Sequence, residues 1–186
     1  IIQGPKPTTG YGTLQCTHVI HAVGPDYASD QDGADQANKD DQLKAAYKKA
    51  IELAKGAGVR YVGFSLISAD IFRGIGTPQE RDLNTLLQIS VNAVIEELKE
   101  NPPTGPMTVD FISLVNGQTR TSLAATLNSA QGTSGVNIEL KPYIIPPPTG
   151  GAVVAHPAAA TAGAAAGPPV ESGEMRSFVL MVTPSD

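Results

Sequence analysis

Between Thr17 and Ser129, three apolar runs of strand-forming residues alternate with three stretches of helical periodicity, and no other feature limits the fold as strongly. The first run, Thr17-His18-Val19-Ile20-His21-Ala22-Val23, reads as a buried strand ended by Gly24-Pro25. Residues 26–38 are polar and rich in aspartate, as an exposed loop would be. Over 39–55 the spacing puts Leu43, Tyr47, Ala50, Ile51 and Ala54 on one helical face, with Gly56 and Gly58 as stop signals. Val59 to Ile67 reads as a second buried strand. Thr77-Pro78-Gln79-Glu80 then has the pattern of a helix start: Thr77 can cap, Pro78 fits the first turn, and Glu80 can complete a capping box. Leu83, Leu86, Leu87, Val91, Val94, Ile95 and Leu98 continue that helix until Pro102-Pro103. Val109 to Val115 reads as a third strand, and 119–129 as a weaker helix. Such alternation predicts an α/β domain with a largely parallel sheet and helices on its faces. Ligands of open α/β sheets sit beyond the carboxyl ends of the strands. Attention therefore falls on the loops after Val23, Ile67 and Val115.

The chain changes character near residue 142. Pro146-Pro147-Pro148 is followed by an Ala/Gly/Pro run from Gly150 to Pro169, which lacks the large apolar side chains needed to offset its ordering entropy. We divide the chain into a domain at 1–141, a low-complexity linker at 142–176, and a short strand-like run at 177–186 around Phe178-Val179-Leu180-Met181-Val182. The domain has material for a core, with 41% hydrophobic residues overall. The net charge of −5 shows no basic stripe, which argues against a nucleic-acid backbone as partner. It leaves open a small phosphorylated ligand held by backbone N–H groups. No apolar run reaches the roughly 20 residues of a membrane span. Gly4, Pro5 and Pro7 interrupt any signal-peptide core. A single cysteine, Cys16, allows no internal disulfide, so an intracellular compartment, cytoplasmic or nuclear, is expected rather than secretion.

Few residues could carry chemistry. His18 and His21 stand three apart on a strand and so point to opposite faces, which rules them out as a metal pair. Asp26, Asp30, Asp32 and Asp35 lack the spacing of a calcium loop and read as a solvated acidic segment. Gly24-Pro25 reads as punctuation. The loop Ser65-Leu66-Ile67-Ser68-Ala69-Asp70-Ile71-Phe72-Arg73-Gly74 is more informative. Small side chains at Ser68 and Ala69 would let an anion approach successive backbone N–H groups, and Ile71 and Phe72 could form an apolar wall. The bland alternative is an ordinary strand-to-helix connection. No metal site and no resident cofactor are expected, and no catalytic residue can be named.

Together these pieces resemble a macrodomain. His18-Val19-Ile20-His21-Ala22-Val23-Gly24-Pro25 is similar to the family's "VIHxVGP" strand. Leu43, Ala46 and Tyr47 match its "LL..AY" helix, and Leu66-Ile67-Ser68-Ala69-Asp70-Ile71-Phe72 resembles its "PLISxGIFG" loop. Upstream, Thr9-Gly10-Tyr11-Gly12-Thr13-Leu14 resembles the family's lead-in. The match covers about residues 6–129 and only the later part of such a domain. The family's Asn-Ala-Asn run and glycine-rich loop have no counterpart here. The resemblance implies an α/β/α sandwich with a mixed, largely parallel sheet whose N-terminal strands are missing.

The resemblance also implies a ligand, ADP-ribose or an ADP-ribosylated protein. Ser68, Ala69, Asp70, Ile71, Phe72, Arg73 and Gly74 would then wrap the pyrophosphate and proximal ribose, with Val115 and Asn116 flanking the adenosine end. Two departures stand out. Asp70 occupies a glycine position of the family loop. Like charges 4 Å apart repel by about 4 kcal/mol at an effective dielectric of 20, and Arg73 would offset part of this. Val115 stands where an aromatic residue often stacks on the base. Three readings follow. One is an ADP-ribose-binding module. The second is an ADP-ribosyl hydrolase or O-acetyl-ADP-ribose deacetylase, active only in a complete parent. The third is a degenerate macrodomain serving as a structural or interaction module, with a partner chain covering the exposed sheet edge.

Overall fold

The computed structural model describes residues 2–3, 16–29, 36–113, 117–131, 141–144 and 176–182. Its core is an α/β sandwich built from two strands and three helices. Helix α1 spans Gln36–Gly56, α2 spans Leu83–Glu100 and α3 spans Gly117–Gln131. A two-residue strand β1 (Ile2–Gln3) pairs antiparallel with β2 (Val19–Ile20). Strand β3 (Tyr61–Ser65) runs parallel to β4 (Met107–Ser113). Beyond β4 lie β6 (Arg176–Val182) and then β5 (Lys141–Ile144), each antiparallel to its neighbour, giving the order β3-β4-β6-β5. The sheet is therefore mixed, with its parallel pairing between β3 and β4. The apolar run near the C-terminus forms β6, opposite the whole of β4. The expected domain boundary at residue 141 falls within β5, and residues 145–175 of the expected linker lie outside the described residues.

The helices form because their apolar residues recur at helical spacing and meet the sheet. On α1, Leu43, Tyr47, Ile51 and Ala54 are fully buried, and on α2 Leu86, Leu87, Val91 and Val94 are too. Helix α2 packs against both α1 and α3. Tyr47 from α1 meets Phe64 on β3 and Phe111 on β4, with ring centroids 5.1 and 6.1 Å away, and the two phenylalanines stack at 5.9 Å. These separations lie in the favourable range for aromatic pairs, worth about 1 kcal/mol each beyond area burial. Outside the core, Lys44 and Lys48 of α1 reach Glu96 of α2 at 2.8 and 3.1 Å, and Lys55 reaches Glu97 at 2.6 Å.

Several local expectations are corrected. The run Thr17–Val23 is a strand only at Val19–Ile20, and Val23 is 88% exposed. Among the described residues its ladder has only the two residues of β1 as partner, so pairing ends there. Strand β3 is not buried on both faces. Val62 and Phe64 are buried beneath the helices, while Tyr61, Gly63 and Ser65 are exposed. Strand β4 begins earlier than expected, at Met107. The acidic loop is not wholly exposed, because Tyr27 inserts into the core at 1% exposure.

The helix start also moves. Asp82, not Thr77, caps α2, and its carboxylate accepts from the Thr85 N–H at 2.8 Å. Thr77 closes a turn instead, donating its hydroxyl to the Gly74 carbonyl at 2.8 Å. Glu80 turns back to accept from the Gly76 N–H at 2.9 Å. The expected helix start at Thr77 is therefore replaced by one at Asp82, and Thr77 and Glu80 close turns of the preceding loop.

Candidate functional site

The loop following β3 keeps its shape through bonds to three other segments. Ser68 adopts φ +57°, a left-handed conformation costing an L-residue about 1–2 kcal/mol. Its buried hydroxyl donates to the Pro25 carbonyl at 2.7 Å, which holds that conformation. One residue earlier, the Ile67 N–H donates to the Tyr47 hydroxyl at 2.9 Å, tying the loop to the core. Gly24 lies so close that an added Cβ would come within 2.3 Å of Ile67 and Ser68. Gly24-Pro25 is thus more than punctuation: it is the platform on which the second loop rests.

After Asp70 the chain makes a short 3-10 turn, Ile71–Arg73, closed by Gly74 at φ +79°. A Cβ at Gly74 would press on the Ala28 backbone N at 3.3 Å, so glycine serves both the backbone angle and the contact. The first loop makes its own 3-10 turn at Tyr27–Ser29, packed against this one. Two loops, 24–29 and 68–81, therefore form one face at the carboxyl end of β3.

The expected site residues take different positions on that face. Ser68 is buried and occupied with Pro25. Asp70 is exposed, with φ −115°, and makes no side-chain cap. Ile71, Phe72 and the neighbouring Ile75 are 79, 57 and 53% exposed, an apolar rim facing solvent. The backbone N–H groups of Asp70, Ile71 and Phe72 donate to no group among the described residues, whereas Arg73, Gly74, Gly76 and Thr77 use theirs within the loop. Arg73 does not stand free to balance a phosphate. Its guanidinium donates to Glu80 at 2.6 Å and to the Arg81 carbonyl at 3.0 Å, with 15% of the side chain exposed. Val115 and Asn116 lie outside the described residues.

Polar residues that the sequence pattern did not single out support the face. Arg81 grips Asp40 of α1 with two nitrogens, at 3.0 and 2.5 Å. The Tyr27 hydroxyl donates to the same carboxylate at 2.9 Å. Burial, together with that bond to Asp40, pushes the Tyr27 phenol well above its usual range. The Lys39 ammonium donates to the Asp26 carbonyl at 2.9 Å. In the loop, the Gly76 N–H and then Arg73 hold the Glu80 carboxyl below its ordinary value. Burial raises the Tyr47 phenol, which Ser90 and Ile67 partly oppose.

Elsewhere, Asp110 on β4 is almost fully buried and accepts from the Tyr61 hydroxyl. Its other oxygen has no partner among the described residues, and desolvation raises its carboxyl. A hollow of about 360 Å³ lies at the opposite end of β3 and β4, lined by Lys55, Arg60, Asn101 and the Pro102–Pro106 turn. It has few free groups converging on a ligand. Lys55 is spent on Glu97 and the Asn101 carbonyl, and the exposed Arg60 lies over Gly105. The carboxyl-end loops are the better candidate, because N–H groups without a partner among the described residues and exposed apolar side chains adjoin there.

Among the described residues no cluster of His, Cys, Asp or Glu is placed to hold a metal ion, and no helix is long and apolar enough to cross a membrane. The fold and this face define an α/β domain whose candidate site is backbone-lined. Residues 4–80 match the family model described as Macro domain. Curated relatives include O-acetyl-ADP-ribose deacetylase 2 of Pantoea vagans, 34% identical over 93 residues that make up 50% of each chain. O-acetyl-ADP-ribose deacetylase 1 of the same organism is 33% identical, again over 50% of each chain. A macro domain-containing protein of Methanosarcina mazei is 32% identical over 52% of this chain and 44% of its own. The chain spans about half the length of these relatives.

Proposed function

We propose that this chain carries part of an ADP-ribose-binding module, with the 68–74 loop as its phosphate-facing element. The observation that carries the reading is the juxtaposition of a Macro domain match over residues 4–80 with three consecutive backbone N–H groups, at Asp70, Ile71 and Phe72, that donate to no group among the described residues. Backbone N–H groups bind phosphate oxygens without requiring a net positive charge, which suits a chain of charge −5. Arg73 then acts by shaping the loop, since Glu80 already neutralises it. Exposed Phe72 and Ile71 offer apolar contact to a sugar or base. Ser68, Ala69 and Gly74 act through backbone geometry, and Val115 and Asn116 stay assigned to the adenosine end by resemblance alone.

Two relatives are named as O-acetyl-ADP-ribose deacetylases, so the same ligand class as a substrate is the second reading. Among the residues of the described face no activated nucleophile or metal centre appears, so chemistry would rest on positioning a water and the substrate. Isothermal titration with ADP-ribose tests the binding reading, and release of acetate from O-acetyl-ADP-ribose tests the enzymatic one. Saturable binding of one ADP-ribose per chain is expected. Its absence, with the protein shown to be folded, would sink the binding reading and favour a structural or interaction module.

A further inference from the structure

We propose that Arg81 and Asp40 form a positioning lock that fixes the two site loops relative to each other, with Tyr27 as the third member. The inference rests on the reading of those loops as the ligand face, but its first test does not require a ligand.

The lock has one shared acceptor. Asp40, near the start of α1, takes two bonds from the Arg81 guanidinium and one from the Tyr27 hydroxyl. Tyr27 belongs to the first loop and Arg81 closes the second. Both loops are thereby referred to a single carboxylate on a rigid helix. A bidentate guanidinium fixes direction as well as distance. The pair is largely shielded, at 20 and 22% side-chain exposure, so solvent screens it less than a surface ion pair.

Arg81 also works through its backbone. Its N–H donates to the Arg73 carbonyl at 2.9 Å, and its carbonyl accepts from the Arg73 guanidinium at 3.0 Å. Residues 73 and 81 are therefore clasped from both sides, and the intervening turn is a closed ring. The side chain's hold on Asp40 fixes where the Arg81 backbone sits, and the clasp passes that position on to the 70–74 turn. Of these residues only Tyr27 belongs to the buried core cluster, and its hydroxyl donates to Asp40.

The test compares the full chain with Arg81→Met, Arg81→Lys and Asp40→Asn by amide hydrogen exchange and by ADP-ribose titration. Arg81→Met is expected to speed exchange of the Arg73, Gly74, Thr77 and Arg81 amides at least about tenfold, with the α2 amides unchanged. Arg81→Lys keeps the charge but cannot span both Asp40 oxygens, so it recovers only part of the protection. Asp40→Asn keeps an acceptor for Tyr27 and serves if Arg81→Met fails to fold. ADP-ribose binding is expected to weaken about tenfold or more in step with the loss of loop protection. Unchanged loop exchange would overturn the lock, as would acceleration spread uniformly over α2 and β4. Intact ADP-ribose affinity in a variant whose loops have loosened would overturn the positioning role. If the parent chain itself binds no ADP-ribose, the ligand reading falls, and the exchange pattern alone decides whether the loops are locked.

Discussion

The helix-and-sheet core and the loop face are held by different physics. In the core, α1, α2, β3 and β4 bury side chains such as Leu43, Val91, Val109 and Phe111 completely. Stability there scales with apolar area, and no single contact decides it. On the loop face, apart from the Tyr27 ring in the core, the contacts are largely hydrogen bonds, buried or part-buried. Ser68 donates to Pro25, Arg81 to Asp40, Tyr27 to Asp40 and Lys39 to Asp26. Its large apolar residues, Ile71, Phe72 and Ile75, point outward. A region held by few directional bonds can be loosened without unfolding the rest, and a binding surface benefits from being so constructed. The same contrast appears at β3, where one face joins the core and the other presents Tyr61 to solvent.

The largest expected effect lies in the core. Phe111→Ala removes a ring in contact with both Tyr47 and Phe64 and should cost about 3–5 kcal/mol, read as a lower denaturant midpoint. A cost below about 1 kcal/mol would mean that the site collapses freely and that the core is not close-packed. Gly74→Ala probes the junction of the loops. It forces a side chain onto φ +79° and against Ala28 and should cost about 1–3 kcal/mol. Its hydrogen-exchange signature should be confined to 24–29 and 68–81. Spread into α2 would erase the distinction between the two regions.

The core was largely legible in the sequence because burial leaves a periodic record. Leu43, Tyr47, Ile51, Leu86, Leu87, Val91 and Val94 recur at helical spacing, and all are buried. The loop face was legible only in part. The Ser68–Gly74 segment stands out in the sequence through its small and aromatic residues and its likeness to a macrodomain loop. The bonds that hold it left no such trace. Asp40 and Arg81 are 41 positions apart, Tyr27 and Asp40 are 13 apart, and a lone charge on a helix reads as its wet face. Arg73, expected to offset part of the Asp70 repulsion, is instead paired with Glu80, a residue whose position in the sequence fits a capping box equally well. Tyr27 was hidden by its setting, a single aromatic in an acidic loop. The extent of β2 was overestimated for a different reason: strand-forming residues specify a tendency, whereas a strand also requires a neighbour.

Smaller effects test the boundary between the regions through pH. Backbone and side-chain bonds from Thr85 hold the Asp82 carboxyl below its ordinary value of 3.8. A carboxylate held low in the folded state contributes stability at higher pH and loses it as pH falls through the folded value. Asp82→Ala should therefore cost about 1 kcal/mol at neutral pH, the usual worth of such a cap, and should flatten part of the acid-side decline. Asp110 has the opposite sign. Burial raises its folded-state value, so ionisation disfavours the folded state, and stability falls as pH rises from the ordinary 3.8 through the folded value. Asp110→Asn should remove that fall and raise the midpoint at neutral pH. A variant with the parent's pH profile would show that the carboxylate finds compensation on the β4 face.

Phe72→Ser should have the smallest effect on stability and the clearest effect on function. The ring is 57% exposed and belongs to no core contact, so its loss should change unfolding by no more than about 0.5 kcal/mol. A ring kept in water by a loop otherwise built of directional bonds stabilises nothing at rest. If it serves a ligand, removing it should weaken ADP-ribose binding by roughly 1–3 kcal/mol, the usual worth of an aromatic contact to a base. Calorimetric titration of the folded variant gives that number directly. Equal affinity in parent and variant would move the ligand away from the rim and onto the backbone N–H groups of residues 70–72 alone. A melting temperature that fell as far as that of Gly74→Ala would instead mean that Phe72 packs against the first loop and belongs with the polar lock.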